Sequence, residues 1–405
     1  MTERERRQKI IEHLRSGEAQ SAADELAGSR EPYPGDGLLH HAIGLAFASR
    51  GTLGAAREQL ETAAKLTPDS AIILADLAQV RLAQGKGDEA AESAQTALSL
   101  EPSLPIARFT LGRAYLTAEL ARQGRRPAAP PAGFDFPIVD GRADGYLRAL
   151  NEMELALDAS PPFAAAVRAA LAFAYSRAGH YYAALEQLRA QLVELPAGEE
   201  VDRVADRLRS CEYEIAREAY WSALGEEMPS SAEPDEAAHP EALLRAAHSC
   251  AVAGDEAALA SALERARAAG YEPRPALVAR YNAEDAIFQQ VSDAHYFIAA
   301  GLECVYEGGL RFLPFGLLQS VTFGPPAQWR SAGVEFLSGD RAEVVVPSLY
   351  RLSHRSPNEL IQSGRFTQFK YGPGETRYAR AIGSRNMTSE ESVIPFVDLK
   401  SLRFI

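Results

Sequence analysis

Cysteine is scarce in this chain, with three in 405 residues, at Cys211, Cys250 and Cys304. An odd number, spaced this widely, excludes a disulfide framework and a paired zinc-ligand set. Each is expected to be a small buried apolar group. Basic charge is also short: 42 Lys and Arg stand against 55 Asp and Glu, a net charge of −13, which argues against a general nucleic-acid binder. The N-terminal "MTERERRQKII" is charged from its second residue and lacks the apolar core of a signal peptide. "YFIAAGLECVY" is short for a membrane span and carries Glu303, so no membrane insertion is expected and the cytoplasm is the expected location.

Catalytic signatures are missing too. There is no P-loop, HExxH, GxSxG or CxxC pair. His40 and His41 sit in a repeat helix with no acidic or cysteine partner at ligand spacing, and His180 lies at a turn where solvent is expected. His295 and His354 flank the C-terminal strands with no Ser, Cys or carboxylate arrangement tied to them. "KYGPGETR" has the glycines of a phosphate loop without the helix that must follow, and reads as a hairpin tip. No enzyme activity, cofactor or metal is expected.

What is there is a repeat. Gly51, Ala56, Leu60, Ala63 and Pro68 recur as Gly85, Ala90, Ala94, Ala97 and Pro102, each displaced by 34 residues. The glycine closes a turn between antiparallel helices, small residues let the helices approach, and the proline ends the second helix. This is tetratricopeptide (TPR) spacing. Gly17, Ala22, Leu26 and Pro34 keep the register upstream, and Leu111, Gly112 and Tyr115 open a third repeat. That repeat ends at Pro161, 25 residues late, so an insertion is expected at about 117–145. Its core, "RQGRRPAAPPAGFDFPIVDGRADG", is too rich in Pro and Gly for helix and reads as a loop between paired helices. A fourth repeat carries Leu171, Tyr175, Gly179, Ala184, Leu188 and Pro196.

Further helices are expected after the repeats: a long amphipathic one over "EEVDRVADRLRSCEYEIAREAYWSAL", a hairpin turning at Gly254-Asp255, and another over "PALVARYNAEDAIFQQVSD". A TPR array exposes a groove lined by the first helix of each pair. The register assigns it Leu38, His41, Leu45, Ile72, Gln79, Leu82, Phe109, Arg113 and Phe173, as partner-binding residues or as packing between repeats. The groove is apolar, which suits an amphipathic helix as guest.

Beyond these helices the pattern changes to alternating, aromatic and β-branched runs. From His295 onward the charge balance is +2, leaving −15 for the helical part. Five to seven strands are expected, in a small β-barrel or a curled antiparallel sheet, with hairpins turning at Gly308-Gly309 and at Ser338-Gly339-Asp340. A short helix with Ser356 as its N-cap should interrupt them. Pro314-Phe315 reads either as a strand break with Phe315 plugging the domain, or as an exposed anchor for a partner, with Trp329 next to be considered. The expected fold is thus an α+β multidomain chain: TPR array over 1–198, helical linker region over 199–293, β domain over 294–405.

The C-terminal half resembles a known family. "LECVYEGGLRFLPFGLLQSVTFGPP" followed by "AEVVVPSLY" is similar to the C-terminal domain of the ImpE family, also called SciE-type or TagJ, through Leu302, Glu303, Gly308, Pro314, Phe315, Pro325, Pro326, Val346, Pro347 and Tyr350. Upstream, "RSCEYEIAREA", "ALGEEMP", "HPEALLRAA" and "GDEAALASAL" also look like the family, so the resemblance runs from about 199 to 405. It implies a cytoplasmic, non-enzymatic accessory protein of bacterial type VI secretion. The implied partners are the small subunit of the contractile sheath, through its N-terminal helix, or the AAA+ ATPase that recycles the sheath. The alternative is a TPR scaffold or regulator unrelated to secretion, whose β domain binds a second protein or a small ligand.

Overall fold

A computed structural model describes residues 3–27, 36–125, 136–226, 257–258, 261, 274–281, 284–293, 301–371, 379–388 and 393–404. Contacts divide the chain into two compact units. The first comprises residues 1–122, 140–174 and 193–195, the second residues 123–139, 175–192 and 196–405.

The first unit is built from helical hairpins. Helices α1 (Glu3–Arg15), α2 (Ala19–Ala27), α3 (Asp36–Ser49), α4 (Leu53–Leu66), α5 (Ala71–Ala83), α6 (Gly87–Leu100), α7 (Pro105–Arg125, to Arg122) and α8 (Asp144–Asp158) follow one another, then α9 (Ala164–Ala178, to Ala174). The 34-residue period has a backbone cause. Gly17, Gly51 and Gly85 all adopt positive φ, between 74° and 78°. In each, the amide after the glycine reaches back to an earlier carbonyl: Glu18 to His13, Thr52 to Phe47 and Lys86 to Arg81, at 2.7 to 3.0 Å. This αL cap satisfies a helix's last carbonyls while turning the chain, and only glycine enters it without strain.

The small positions do what the spacing demands. Ala56, Leu60, Ala63, Ala90, Ala94 and Ala97 are fully buried. Close approach to backbone is sharpest at Gly112, where an added Cβ would stand 2.8 Å from the Ala149 carbonyl and 2.7 Å from Met153. One cluster links α1 through α5 around Ile10, Ile43, Phe47 and Leu77, and further clusters continue through α5, α6 and α7.

The insertion departs from its expectation at its start. Helix α7 runs on to Arg125, so Arg122–Arg125 is helical rather than loop. Residues 126–135 lie outside the described part, as do the hairpin expected at Gly254-Asp255, His295, Cys250 and most of the "KYGPGETR" tip.

The second unit contains α10 (Tyr181–Glu194, to Leu192), the long α11 (Glu199–Glu226) and an antiparallel sheet. Its strands are β1 (Arg274–Tyr281), β2 (Glu284–Asp293), β3 (Gly301–Tyr306), β4 (Gly309–Pro314), β5 (Leu318–Phe323), β6 (Trp329–Phe336) and β7 (Arg341–Pro347). A separate pair, β8 (Thr367–Tyr371) and β9 (Ala379–Gly383), follows, and β10 (Asn386–Thr388), β11 (Val393–Pro395) and β12 (Leu399–Phe404) return to the sheet. Its order is β11-β10-β2-β1-β12-β5-β6-β7-β3-β4. The sheet is open, with β11 and β4 at its two ends, and not the closed barrel that was one expectation. Ten strands also exceed the five to seven expected.

The surplus comes partly from "PALVARYNAEDAIFQQVSD", expected as helix. It forms the β1–β2 hairpin, with Leu277 opposite Phe288 and Val278 opposite Ile287. β1 also pairs with β12, the C-terminal strand. That long-range ladder overrides the helix preference of the alanines. The β3–β4 turn falls on Glu307 and Gly308, both at positive φ (50° and 77°), one residue ahead of the expected Gly308-Gly309. The turn at Ser338-Gly339-Asp340 is where it was expected. Helix α12 (Glu359–Gln362) is capped by Asn358 rather than Ser356, because the Asn358 side chain accepts from the Leu360 amide at 2.9 Å.

Candidate functional site

Of the residues assigned to a binding face, Leu38 (65% exposed), Leu45 (42%), Ile72 (45%) and Phe173 (40%) project large apolar side chains into solvent. Leu38, His41 and Leu45 lie at i, i+3 and i+7 on α3, and Ile72 and Gln79 at i and i+7 on α5, so each set shares one helix face. His41 Nε2 meets Asp76 Oδ2 at 2.7 Å, joining the two faces, and Gln79 Nε2 donates to Asp76 Oδ1 at 3.1 Å. His40 meets Gln59 on the other side of its helix pair, at 2.8 Å. Thus His41 does have an acidic partner. It sits 35 residues away, one repeat further on, a spacing that single-helix ligand patterns do not reach.

Phe109 behaves differently. It is 8% exposed and stacks on Phe163 at 5.8 Å, with the Arg113 guanidinium 5.5 Å from its ring centre. It is a packing residue, while Arg113 is exposed and Leu82 half-buried.

The two β-domain candidates are interior. Phe315 (3% exposed) packs against Phe404 in the sheet's core, and Trp329 (8%) packs beside Tyr213 of α11. Of the two readings of Pro314-Phe315, the strand break with Phe315 plugging the domain is the one observed, and the exposed anchor is not. β4 ends at Pro314 and the 3-10 turn that follows swings the ring inward. Both rings are spent on the fold.

Around Trp329 the second unit holds a charged interior that the sequence reading missed. Arg217 on α11 makes a fork-to-fork pair with Glu303 on β3, at 2.7 and 2.8 Å, and both are at most 1% exposed. Arg217 also donates to the Leu349 carbonyl at 3.2 Å, and Arg385 stands 3.8 Å from Glu303. Glu214, one turn back on α11, accepts from Trp329 Nε1 at 3.1 Å. Arg351 pairs in the same two-pronged manner with Glu218, at 3.0 and 2.7 Å.

His354 closes this network, with Tyr181 Oη at 2.7 Å from its Nε2 and Glu214 at 3.8 Å from its Nδ1. The carboxylate arrangement judged missing around His354 is therefore present, contributed by a helix about 140 residues earlier. Arg177 donates to the carbonyls of His354 and Ser356.

Burial dominates the electrostatics. It lowers His354 to about 3, helped by Arg355, Arg177 and Arg217, so the imidazole is neutral at any physiological pH. It raises Glu214 to about 7, with Arg217 opposing. Burial works against Arg217's charge, but Glu303 and Glu214 outweigh it and hold its pKa above the ordinary value. Burial lifts the thiols of Cys211 and Cys304 to about 11 and about 12, which makes both unreactive apolar groups.

A neutral histidine next to a tyrosine and a glutamate resembles acid–base machinery; here Tyr181 is bonded to His354 and Glu214 Oε1 to Trp329, while Glu214 Oε2 has no hydrogen-bond partner among the described residues. The arrangement fixes α11 and the 353–356 turn against the strands of this unit. Among the described residues, no group of three His, Cys, Asp or Glu is placed to hold a metal ion. No helix among them is long and apolar enough to cross a membrane.

The fold therefore defines a helical-repeat chain with an appended antiparallel sheet. Residues 285–403 match the family model described as ImpE protein. No curated protein matches the chain. Among solved structures, protein VPA1032 from Vibrio parahaemolyticus is similar at 18% identity and TM-score 0.47, covering 64% of this chain and 93% of its own. TTC0263, a thermophilic TPR protein of Thermus thermophilus, is similar at 21% identity and TM-score 0.35, covering 57% and 98%. MamA from Desulfovibrio magneticus is similar at 18% and 0.36, covering 49% and 94%.

Proposed function

We propose that this protein is a non-enzymatic adaptor that seats a partner's amphipathic helix on the first-helix face of its TPR-like repeats. The observation that carries the reading is the exposure of Leu38, Leu45 and Ile72 together, on faces joined by the His41–Asp76 contact. Apolar side chains at i and i+7 on α3, with Ile72 beside them on the first helix of the next repeat, form a face that a helix's apolar stripe can cover. Covering about 500 Å² of such surface gains roughly 12 kcal/mol gross, most of it offset by immobilisation, so micromolar affinity is expected.

The ImpE-matched region supports a setting in bacterial type VI secretion. On that reading the helix belongs to the small subunit of the contractile sheath, with the sheath-recycling AAA+ ATPase as the other partner to be tried. The test is a titration of the purified chain with a labelled peptide of that subunit's N-terminal helix, followed by fluorescence anisotropy. Wild type should bind, and Leu38→Ser with Ile72→Ser should weaken binding at least about ten-fold. Equal binding by both proteins removes the first-helix face from the function.

A further inference from the structure

We infer that the helix docked on this face carries a lysine or arginine in the middle of its apolar stripe, held by Asp76. The inference rests on the reading of the face as a helix-docking surface, and adds the chemistry of its occupant. Leu38 and Ile72 occupy equivalent places one repeat apart, as do Leu45 and Gln79, seven residues further along. Between these rungs lies the His41–Asp76 pair, whose side chains are 15% and 13% exposed.

A helix that covers both rungs must also cover Asp76. Its carboxylate accepts from His41 and Gln79, which leaves acceptor capacity on both oxygens. Removing a carboxylate from water is unfavourable unless an opposite charge meets it. A basic side chain on the incoming helix supplies that charge, and the −15 balance of the chain ahead of His295 favours its approach. An aliphatic residue at the same place would strand the carboxylate, and an acidic one would repel it.

The experiment uses the full chain to select from a displayed library of helical peptides of about 18 residues, five turns. The stripe is fixed as Leu and Ile, with its central position randomised. Lysine and arginine should be enriched at that position. A resynthesised Lys peptide should bind about five-fold tighter than its Leu counterpart, the scale of one partly screened ion pair. Asp76→Asn should abolish the preference while both peptides still bind. His41→Gln, which keeps the carboxylate, should preserve it, and this variant decides the matter if Asp76→Asn fails to fold. Enrichment of apolar residues would mean that the contacts with His41 and Gln79 already satisfy Asp76, which overturns the inference and leaves helix docking standing. Enrichment of acidic residues also overturns it. Recovery of no helical peptide removes the docking reading and this inference with it.

Discussion

The two units solve the packing problem with opposite chemistry. The first packs alanine and glycine against aliphatic side chains, and among its described charged residues only Glu119 is buried below a tenth. The second buries Arg177, Glu214, Arg217, Glu303, Arg330 and Arg385. A repeat can use small residues because each helix meets its neighbour at the same short distance, and local contacts suffice. The sheet unit joins segments far apart in the chain, and directional charge pairs fix which residue meets which. Buried ion pairs add little net stability over apolar substitutes, but removing one partner is costly. The comparison teaches that the repeat unit should tolerate charge changes and resist volume changes, with the reverse in the sheet unit.

The largest effect should come from Glu303→Ala, which leaves Arg217 and Arg385 without their shared carboxylate. A loss of about 3–5 kcal/mol is expected in urea unfolding. Tryptophan fluorescence reports this unit selectively, since Trp221 and Trp329 are the chain's only tryptophans and both lie in it. Arg217→Met combined with Glu303→Leu should lose much less. A single-variant loss below about 1 kcal/mol would end the case for a charge-fixed interior.

Volume should matter most in the repeats. Gly112→Ala places a Cβ against the Ala149 carbonyl and Met153, and should cost about 1–3 kcal/mol in the helical unfolding transition read by circular dichroism. Tolerance of this methyl group would show that the helices are free to part.

A smaller, pH-dependent effect should appear at His354. Its pKa falls from 6.5 to about 3 on folding, so between those values the unfolded chain binds a proton that the folded chain refuses. Its contribution is therefore present above pH 6.5 and lost as pH falls. The stability cost of His354→Gln should shrink by about 1.4 kcal/mol from about pH 6 to about pH 5. Glu214 runs the other way, its contribution being lost as pH rises from 4.5 to about 7, and because it stands 3.8 Å from His354 the same comparison in a Glu214→Gln background separates the two. A pH-independent cost would place a solvated imidazole at position 354.

The smallest effect on stability should be that of Leu38→Ser with Ile72→Ser, within about 0.5 kcal/mol of wild type, because both side chains already stand in water. A melting temperature lowered by several degrees would assign these residues to packing instead of to a partner.

The sequence by itself determined the repeat. Its 34-residue period is written in Gly17, Gly51 and Gly85, because an αL cap is a local requirement that any single turn must meet. The same spacing placed Leu38, Leu45 and Ile72 on exposed first-helix faces, while Phe109 in that register turned out to pack on Phe163. The motifs of the resemblance were legible as strings but not as partners. "CEYEIAREA" and "LECVYEGG" stand about 90 residues apart, and only folding brings Arg217 of the first onto Glu303 of the second. The helix expected at 275–293 failed for the same reason: β1 is a strand because β12, at the far end of the chain, is there to pair with it. Tertiary structure alone decided that Phe315 and Trp329 turn inward, that His41 meets Asp76 across a repeat, and that His354 is neutral in a charged interior. Each depends on residues outside any local window, where a side chain's charge and exposure are set by what the rest of the chain delivers to it.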